Sequence, residues 1–232
     1  MITLLWLACA LPESDIVLSG QVLTSQDSGA GAPDILVNIR NAETTPHDEV
    51  TTDQDGMFEV KVPSNSVYHL ALSGTDIVPT AFSGIVGQSN VAIPEDELFV
   101  RSTAELELLR SEFEACPTVD GSGGVIEGII RFKLQNTDDE SYLVAPLASV
   151  LAYNNAGVEF TACYLDDEGL SLEDGEETGQ TGRFAIFGVP EGPTTVLFSQ
   201  DIGGLSVENY GFVYMPENGL APFYPAFVDL AG

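Results

Sequence analysis

The densest run of side chains able to do chemistry is acidic. Asp166, Asp167 and Glu168 are followed, after a short gap, by Glu173, Asp174, Glu176 and Glu177. Carboxylates crowded on a loop suit calcium, a hard cation that gathers about six to eight oxygen ligands. Asp166, Asp167, Glu168, Glu173 and Asp174 are therefore the candidate metal ligands, and calcium is the one cofactor these residue types suggest. The spacing is not the alternating Asp-x-Asp-x-Asp-Gly of an EF-hand loop, so a solvated acidic loop stands beside that reading. Histidine, the usual acid, base or ligand near neutral pH, occurs twice. His47 follows Pro46 in a polar stretch and His69 follows Tyr68 in an alternating one. Neither belongs to a metal-spaced cluster such as His-x-x-x-His, and both read as surface or edge histidines. The chain carries no Gly-x-Ser-x-Gly elbow and no phosphate-cradling glycine loop. No catalytic residue is assigned, and the chain reads as a non-enzyme.

The charge balance narrows the partners. Against 36 Asp and Glu stand 7 Lys and Arg, a formal net charge of -29. Such a surface repels phosphate backbones and anionic headgroups, which argues against nucleic acid and direct membrane adsorption. The charge then reads either as a solubility device in a salty habitat or as carboxylates that collect divalent cations or a basic partner. Protein or glycan is the partner class expected of a binding module. A hydrophobic share of 44% leaves ample material for packed cores, and the apolar residues come in short bursts between Gly, Pro, Asn and Asp clusters. That rhythm belongs to short strands.

Two stretches repeat the same order of parts. In the first, Ser19-Gly20-Gln21-Val22 and Gly31-Ala32-Pro33-Asp34-Ile35 precede Thr51-Thr52-Asp53-Gln54-Asp55-Gly56-Met57-Phe58, then Val62-Pro63 and Tyr68-His69-Leu70. In the second, Glu127-Gly128-Ile129-Ile130 and Ala145-Pro146-Leu147-Ala148 precede Thr178-Gly179-Gln180-Thr181-Gly182-Arg183-Phe184, then Val189-Pro190 and Val196-Leu197-Phe198. Asp53-Gln54-Asp55-Gly56 is expected to form a hairpin turn, since Asp bonds nearby backbone N–H groups and Gly takes positive φ freely. Phe58, Val60 and Val62 alternate with Glu59 and Lys61, which predicts one buried face. The second copy is one residue longer between Phe184 and Pro190, and Gly188 is the natural site for a β-bulge.

This motif, Gly-x-Val, Ala-Pro, Thr-Thr-Asp-x-Asp-Gly-x-Phe and Val-Pro, resembles the carboxypeptidase regulatory-like, or transthyretin (prealbumin)-like, superfamily. The resemblance covers about residues 16–72 and, more loosely, 125–198. It implies an all-β protein of two tandem antiparallel prealbumin-like (Ig-like) β-sandwiches. Two enzyme families share such a sandwich. Transthyretin-like hydroxyisourate hydrolases end in Tyr-Arg-Gly-Ser, whereas this chain ends in Asp229-Leu230-Ala231-Gly232. Intradiol dioxygenases hold iron with a closely spaced Tyr and His, but Tyr68 and His69 are neighbours on a strand and point to opposite faces. Collagen-adhesin B-type domains cross-link a Lys to Asn or Asp, and of Lys61 and Lys133 only Lys133 is a candidate here.

Between the repeats, Ser102-Thr103-Ala104-Glu105 is a capping box. Leu106, Leu109 and Phe113 recur at helical spacing, with Leu108 widening the stripe, which predicts a helix over 103–115 packed on a sandwich. At the N-terminus, the apolar run of residues 2–8 is too short to span a bilayer, and with Ala8-Cys9 it resembles a bacterial lipobox, implying a lipid on Cys9. Ordinary secretion, or a buried N-terminal strand with a structural Cys9, remain open. Cys116 and Cys163 are either a disulfide or two buried thiols. The expected organisation is a signal peptide over 1–9, a first sandwich over 14–100, a helical connector over 101–122 and a second sandwich over 123–232. The expected function is a non-catalytic lipoprotein of the outer membrane, periplasm or cell surface, structural or binding, touching the membrane only through Cys9. A calcium-assisted adhesion module is the alternative, and a cryptic hydrolase ranks below it.

Overall fold

Alternation of burial shows how the first strands are used. In Met57–Pro63, Phe58, Val60 and Val62 are buried while Met57, Glu59 and Lys61 face water. The computed structural model describes residues 14–25, 29–41, 45–94, 97–119, 122–133, 142–172, 175–202, 204–224 and 226–228. The first half supplies β1 (Asp15–Gln21), β2 (Leu36–Asn41), β3 (Pro46–Thr51), β4 (Met57–Pro63), β5 (Val67–Ser73), β6 (Ile77–Val78), β7 (Thr80–Ile85), β8 (Val91–Ala92) and β9 (Arg101–Ser102). Helix α1 (Thr103–Glu112) follows. The second half supplies β10 (Gly124–Ile129), β11 (Arg131–Lys133), β12 (Tyr142–Val144), β13 (Ala148–Asn154), β14 (Glu159–Thr161), β15 (Cys163–Tyr164) and β16 (Arg183–Val189). It closes with β17 (Gly192–Ile202), β18 (Leu205–Met215), β19 (Leu220–Pro222) and β20 (Ala226–Val228).

An eight-stranded sheet, ordered β15–β16–β10–β19–β7–β5–β2–β3, runs through both halves. A sheet ordered β4–β1–β8 packs on its first-half end, and one ordered β14–β13–β17–β18 packs on its second-half end. The fold is all-β and sandwich-like. Most ladders are antiparallel, with parallel pairs at β1–β8, β10–β19, β7–β19 and β11–β20. Leu18, Ile39, Phe58 and Leu72 centre one core, and Ile126, Phe184, Val196 and Met215 centre another.

A third cluster lies between them and holds the helix. Leu106, Leu109 and Phe113 pack with Val125, Phe187 and Leu220. The capping box forms as expected: Ser102 accepts from Glu105 N, and Glu105 accepts from Ser102 N. The helix stops at Glu112 rather than running to Ala115, and Leu108 is 63% exposed rather than part of the buried stripe. Arg183 pairs with Glu112. Arg101 Nη2 lies 2.6 Å from Glu127 Oε1, close enough to pair but not aligned as a hydrogen bond. Burial pushes the Glu127 carboxyl up, and the charges of Arg101 and Arg183 pull it back.

The two halves join through β19. Its Leu220 pairs with Thr80 of β7, while Leu220, Ala221 and Pro222 pair with Val125, Ile126 and Glu127 of β10. Leu220 N donates to Pro79 O at 2.8 Å, and Val125 N donates to Gly219 O at 2.9 Å. Position 219 must be glycine, because an added Cβ would stand 2.3 Å from Pro79 O.

The repeated motif builds one loop knot twice. Thr52, 4% exposed, donates its hydroxyl to Ala32 O at 2.7 Å and accepts from Ile35 N at 2.9 Å. Thr178, 1% exposed, donates to Ala145 O at 3.1 Å and accepts from Ala148 N at 3.1 Å. Gly56 O accepts from Val22 N, as Gly182 O accepts from Ile130 N. The residue after each Ala-Pro is left-handed, with φ 59 at Asp34 and 57 at Leu147. The Asp53 turn closes as expected, its Oδ1 accepting from Asp55 N and Met57 N. It is not a hairpin between ladder partners, however. β3 pairs with β2 and β4 with β1, so the turn carries the chain from one sheet to the other. Asp48 Oδ2 spans the gap, accepting from Lys61 N at 2.7 Å, and that bond is the main cause holding its carboxyl below the usual range. At Gly188, φ 74, β16 carries one extra residue against β10 between Val189 and Ile186, which is the expected bulge.

Removing a buried hydroxyl that serves two backbone groups strands both of them. Thr52→Val and Thr178→Val should each cost about 1–3 kcal/mol in denaturant unfolding, while Thr51→Val on the exposed side of β3 stays within about 0.5 kcal/mol.

Candidate functional site

The outer face of the β14–β13–β17–β18 sheet carries exposed and half-buried side chains in register. Val150, Ala152, Val196, Phe198 and Val213 fill the core beneath it, so alternate residues point outward. The register sets them in rows. Tyr153, Thr195 and Phe212 form the first, Leu151, Leu197 and Tyr210 the second, and Ser149, Ser199 and Glu208 the third. β14 adds Glu159 beside Tyr153 and Thr161 beside Leu151. Tyr210 is 64% exposed and Phe212 49%, their rings edge to face at 5.9 Å. Ser149 and Ser199 share a hydrogen bond at 3.1 Å. The Tyr153 hydroxyl is pushed up, first by desolvation and then by the charge and hydrogen bond of Glu159.

Along β18 the same face continues to Tyr214, which is buried against the first half of the chain. Tyr214 N donates to Ser83 Oγ at 3.3 Å, and its ring lies 5.6 Å from that of His69. Ser83 Oγ is 2.7 Å from His69 Nδ1. Arg40 lies 5.2 Å from the Tyr214 ring centroid and donates to its hydroxyl at 3.4 Å, and that hydroxyl donates to Glu191 Oε1 at 3.1 Å. This corrects the reading of His69 as a surface or edge histidine: it is 4% exposed, on a strand flanked by β2 and β7. At that burial the His69–Ser83 pair cannot receive a substrate, and it reads as packing between the two halves. Burial, then the Arg40 charge, pushes the His69 imidazole below its ordinary value.

The other residues singled out from the sequence fall as follows. His47 is on β3 with Nε2 3.2 Å from Asp15 Oδ1. Tyr68 packs on the first core, away from the His69 side of the strand. Cys116 and Cys163 form a disulfide with Cα atoms 5.8 Å apart, tying the segment after α1 to β15. Asp166 Oδ1 accepts from Glu168 N at 2.9 Å and Leu170 N at 2.8 Å, and Asp167 Oδ1 accepts from Gln180 N at 2.9 Å. These two side chains thus organise their own loop. With Glu168, Glu176 and Glu177 they border a cavity of about 570 Å³. Among the described residues no three His, Cys, Asp or Glu side chains converge as a metal site. Glu173, Asp174 and Cys9 lie outside the described residues, and Lys133 is described only as the last residue of β11. Among the described residues no helix is long and apolar enough to cross a membrane.

No family model matches the chain, and no curated protein does. Among solved structures it is similar to the Bacillus anthracis TIE protein, at 15% identity over 92% of this chain and 34% of that one, with a TM-score of 0.33. The chain therefore spans about a third of that protein's length. It is also similar to the shaft pilin SpaA of Lactobacillus rhamnosus GG, at 11% identity over 94% and 99%, with a TM-score of 0.31. A proposed carbohydrate-binding protein of Bacteroides uniformis matches at 10% identity over 87% and 99%, with a TM-score of 0.30.

Tyr153, Tyr210 and Phe212 were not singled out from the sequence. The available signal is the alternation in Tyr210-Gly211-Phe212-Val213-Tyr214, but a period of two does not say which face is buried.

The His69 site makes a pH prediction. Its folded-state pKa lies below the unfolded value of 6.5, so between those two values the unfolded chain binds a proton that the folded chain does not. Stability should be unaffected by His69 above pH 6.5 and should fall as pH drops from 6.5 toward the folded value. Urea unfolding at steps from pH 7.5 to 5 should show that fall, and His69→Asn should flatten it.

Proposed function

We propose that this chain is an exported, non-catalytic module of the cell surface, anchored by a lipid on Cys9. Its two units, 14–100 and 123–232, serve as a binding and spacing element of the envelope. The observation that carries the reading is the outer face of β14–β13–β17–β18. Large aromatic side chains stand there in water over a complete core, and a surface patch of that kind marks an interaction site. The Cys116–Cys163 bridge supports export, because disulfides persist in oxidising compartments. The shared sheet supports the spacer role, since it couples the anchored half to the half bearing the aromatic face. A carboxypeptidase regulatory-like ancestry of both units accounts for their common loop knot.

Metabolic labelling with a clickable fatty acid tests the address. The expected result is label on the native chain, recovered with the envelope, and none on Cys9→Ser. An unlabelled native chain found free in the medium contradicts the anchor.

A further inference from the structure

We infer that the outer face of the β14–β13–β17–β18 sheet is a binding site for a neutral glycan chain. This rests on the reading of the protein as a surface binding module and gives that module its ligand class.

Three features of the face select this occupant. The first is the placing of the rings. Tyr153 and Phe212 stand in one row on either side of β17, which sets them about 10 Å apart by the spacing of strands. Tyr210 is two residues along β18 from Phe212, its ring edge to face with that of Phe212 at 5.9 Å. An extended polysaccharide crossing the strands can set alternate sugar rings on Tyr153 and Phe212. The C–H groups on one side of a pyranose ring carry partial positive charge and seat on the negative face of an aromatic ring.

The second is the polar groups between the rings. Thr195 separates Tyr153 from Phe212, and the Ser149–Ser199 pair lies beyond Leu151 and Leu197 on the same face. Each hydroxyl both donates and accepts, as sugar hydroxyls do. Glu159 and Glu208 close opposite corners, and a carboxylate accepts from vicinal sugar hydroxyls. An apolar protein partner would strip water from these carboxylates and hydroxyls without supplying new hydrogen bonds, at a cost. A glycan pairs them.

The third is charge. The face carries Glu159 and Glu208, no Lys or Arg stands at the positions in its rows, and the chain bears a net charge of -29. Uronic-acid or sulfated polymers are repelled. A neutral polymer approaches without that cost.

The test uses the full chain carrying Cys9→Ser, run by affinity electrophoresis through gels holding xyloglucan, mixed-linkage β-glucan, galactomannan or polygalacturonate. The expected result is retardation by at least one neutral polysaccharide and none by polygalacturonate. Tyr210→Ala with Phe212→Ala should weaken that binding by about tenfold, and Tyr153→Ala should also weaken it. Both variants should melt within about 2 °C of the parent, because these side chains lie outside the core. Absence of retardation by all the neutral polymers overturns the inference, as does retardation that the variants leave unchanged. Binding of polygalacturonate, or of the basic protein clupeine, through Tyr210 and Phe212 in place of a neutral glycan also overturns it. Fatty-acid labelling and envelope fractionation of the native chain separate the two levels: a labelled, envelope-bound chain without glycan binding defeats the ligand class alone, and an unlabelled chain absent from the envelope defeats the surface reading.

Discussion

A three-residue strand ties the molecule together. Leu220–Pro222 pairs with β10 on one side and, through Leu220, with β7 on the other. It thereby makes one sheet of what would be two. Backbone hydrogen bonds at a sheet edge must be met by something, or the edge is left open to other chains. Here each half closes the other's edge. Gly219 permits the approach, Leu220 contributes to the cluster that also holds the helix, and Tyr214 docks on His69 and Ser83 a few residues earlier. The face bearing Tyr210 and Phe212 is therefore fixed relative to the first sandwich, because the strand that carries it ends inside the junction.

Within each half, a buried threonine does the work of ordering loops. Thr52 and Thr178 each tie the two sides of the turn at the Ala-Pro pair, the hydroxyl donating to the carbonyl of the alanine and accepting from an N–H just beyond the proline. A hydroxyl both donates and accepts, so one side chain satisfies a carbonyl and an N–H that would otherwise be buried without partners. This explains why the motif survives in both halves although β-strand lengths and turn residues differ. It also explains how Leu147, a residue that pays for a left-handed backbone, is held at φ 57.

Much of this architecture is legible from residue order. The turn-rich rhythm of short apolar runs announces an all-β chain, the paired motifs announce the loop knot built in each half, Ser102 and Glu105 announce the helix start, and Gly188 announces its bulge. What escapes is whatever depends on contacts between distant segments. The partner of Leu220 is Thr80, and no local pattern links them. His69 alternates like a residue facing water, yet the second half covers that face with Tyr214. The turn at Asp53 looks like a hairpin because its own bonds are those of one. Only the core decides that β3 and β4 belong to different sheets. The aromatic face was hidden for a related reason: in β18 the bulkier Tyr and Phe point out while Val213 and Met215 point in, the reverse of what size alone suggests. Thr52 and Thr178 are ordinary turn residues until their burial is known.

The strong negative charge and the fold act at different ranges. A net charge of -29 acts over about a Debye length, whereas hydroxyls and rings on one sheet face interact only at contact. Both depend on the two halves behaving as one body. Scanning calorimetry of the oxidised full chain tests that coupling most directly. The account predicts a single endotherm whose calorimetric and van't Hoff enthalpies agree. Two separate endotherms, or a calorimetric enthalpy well above the van't Hoff value, would show that the shared strand does not join the halves.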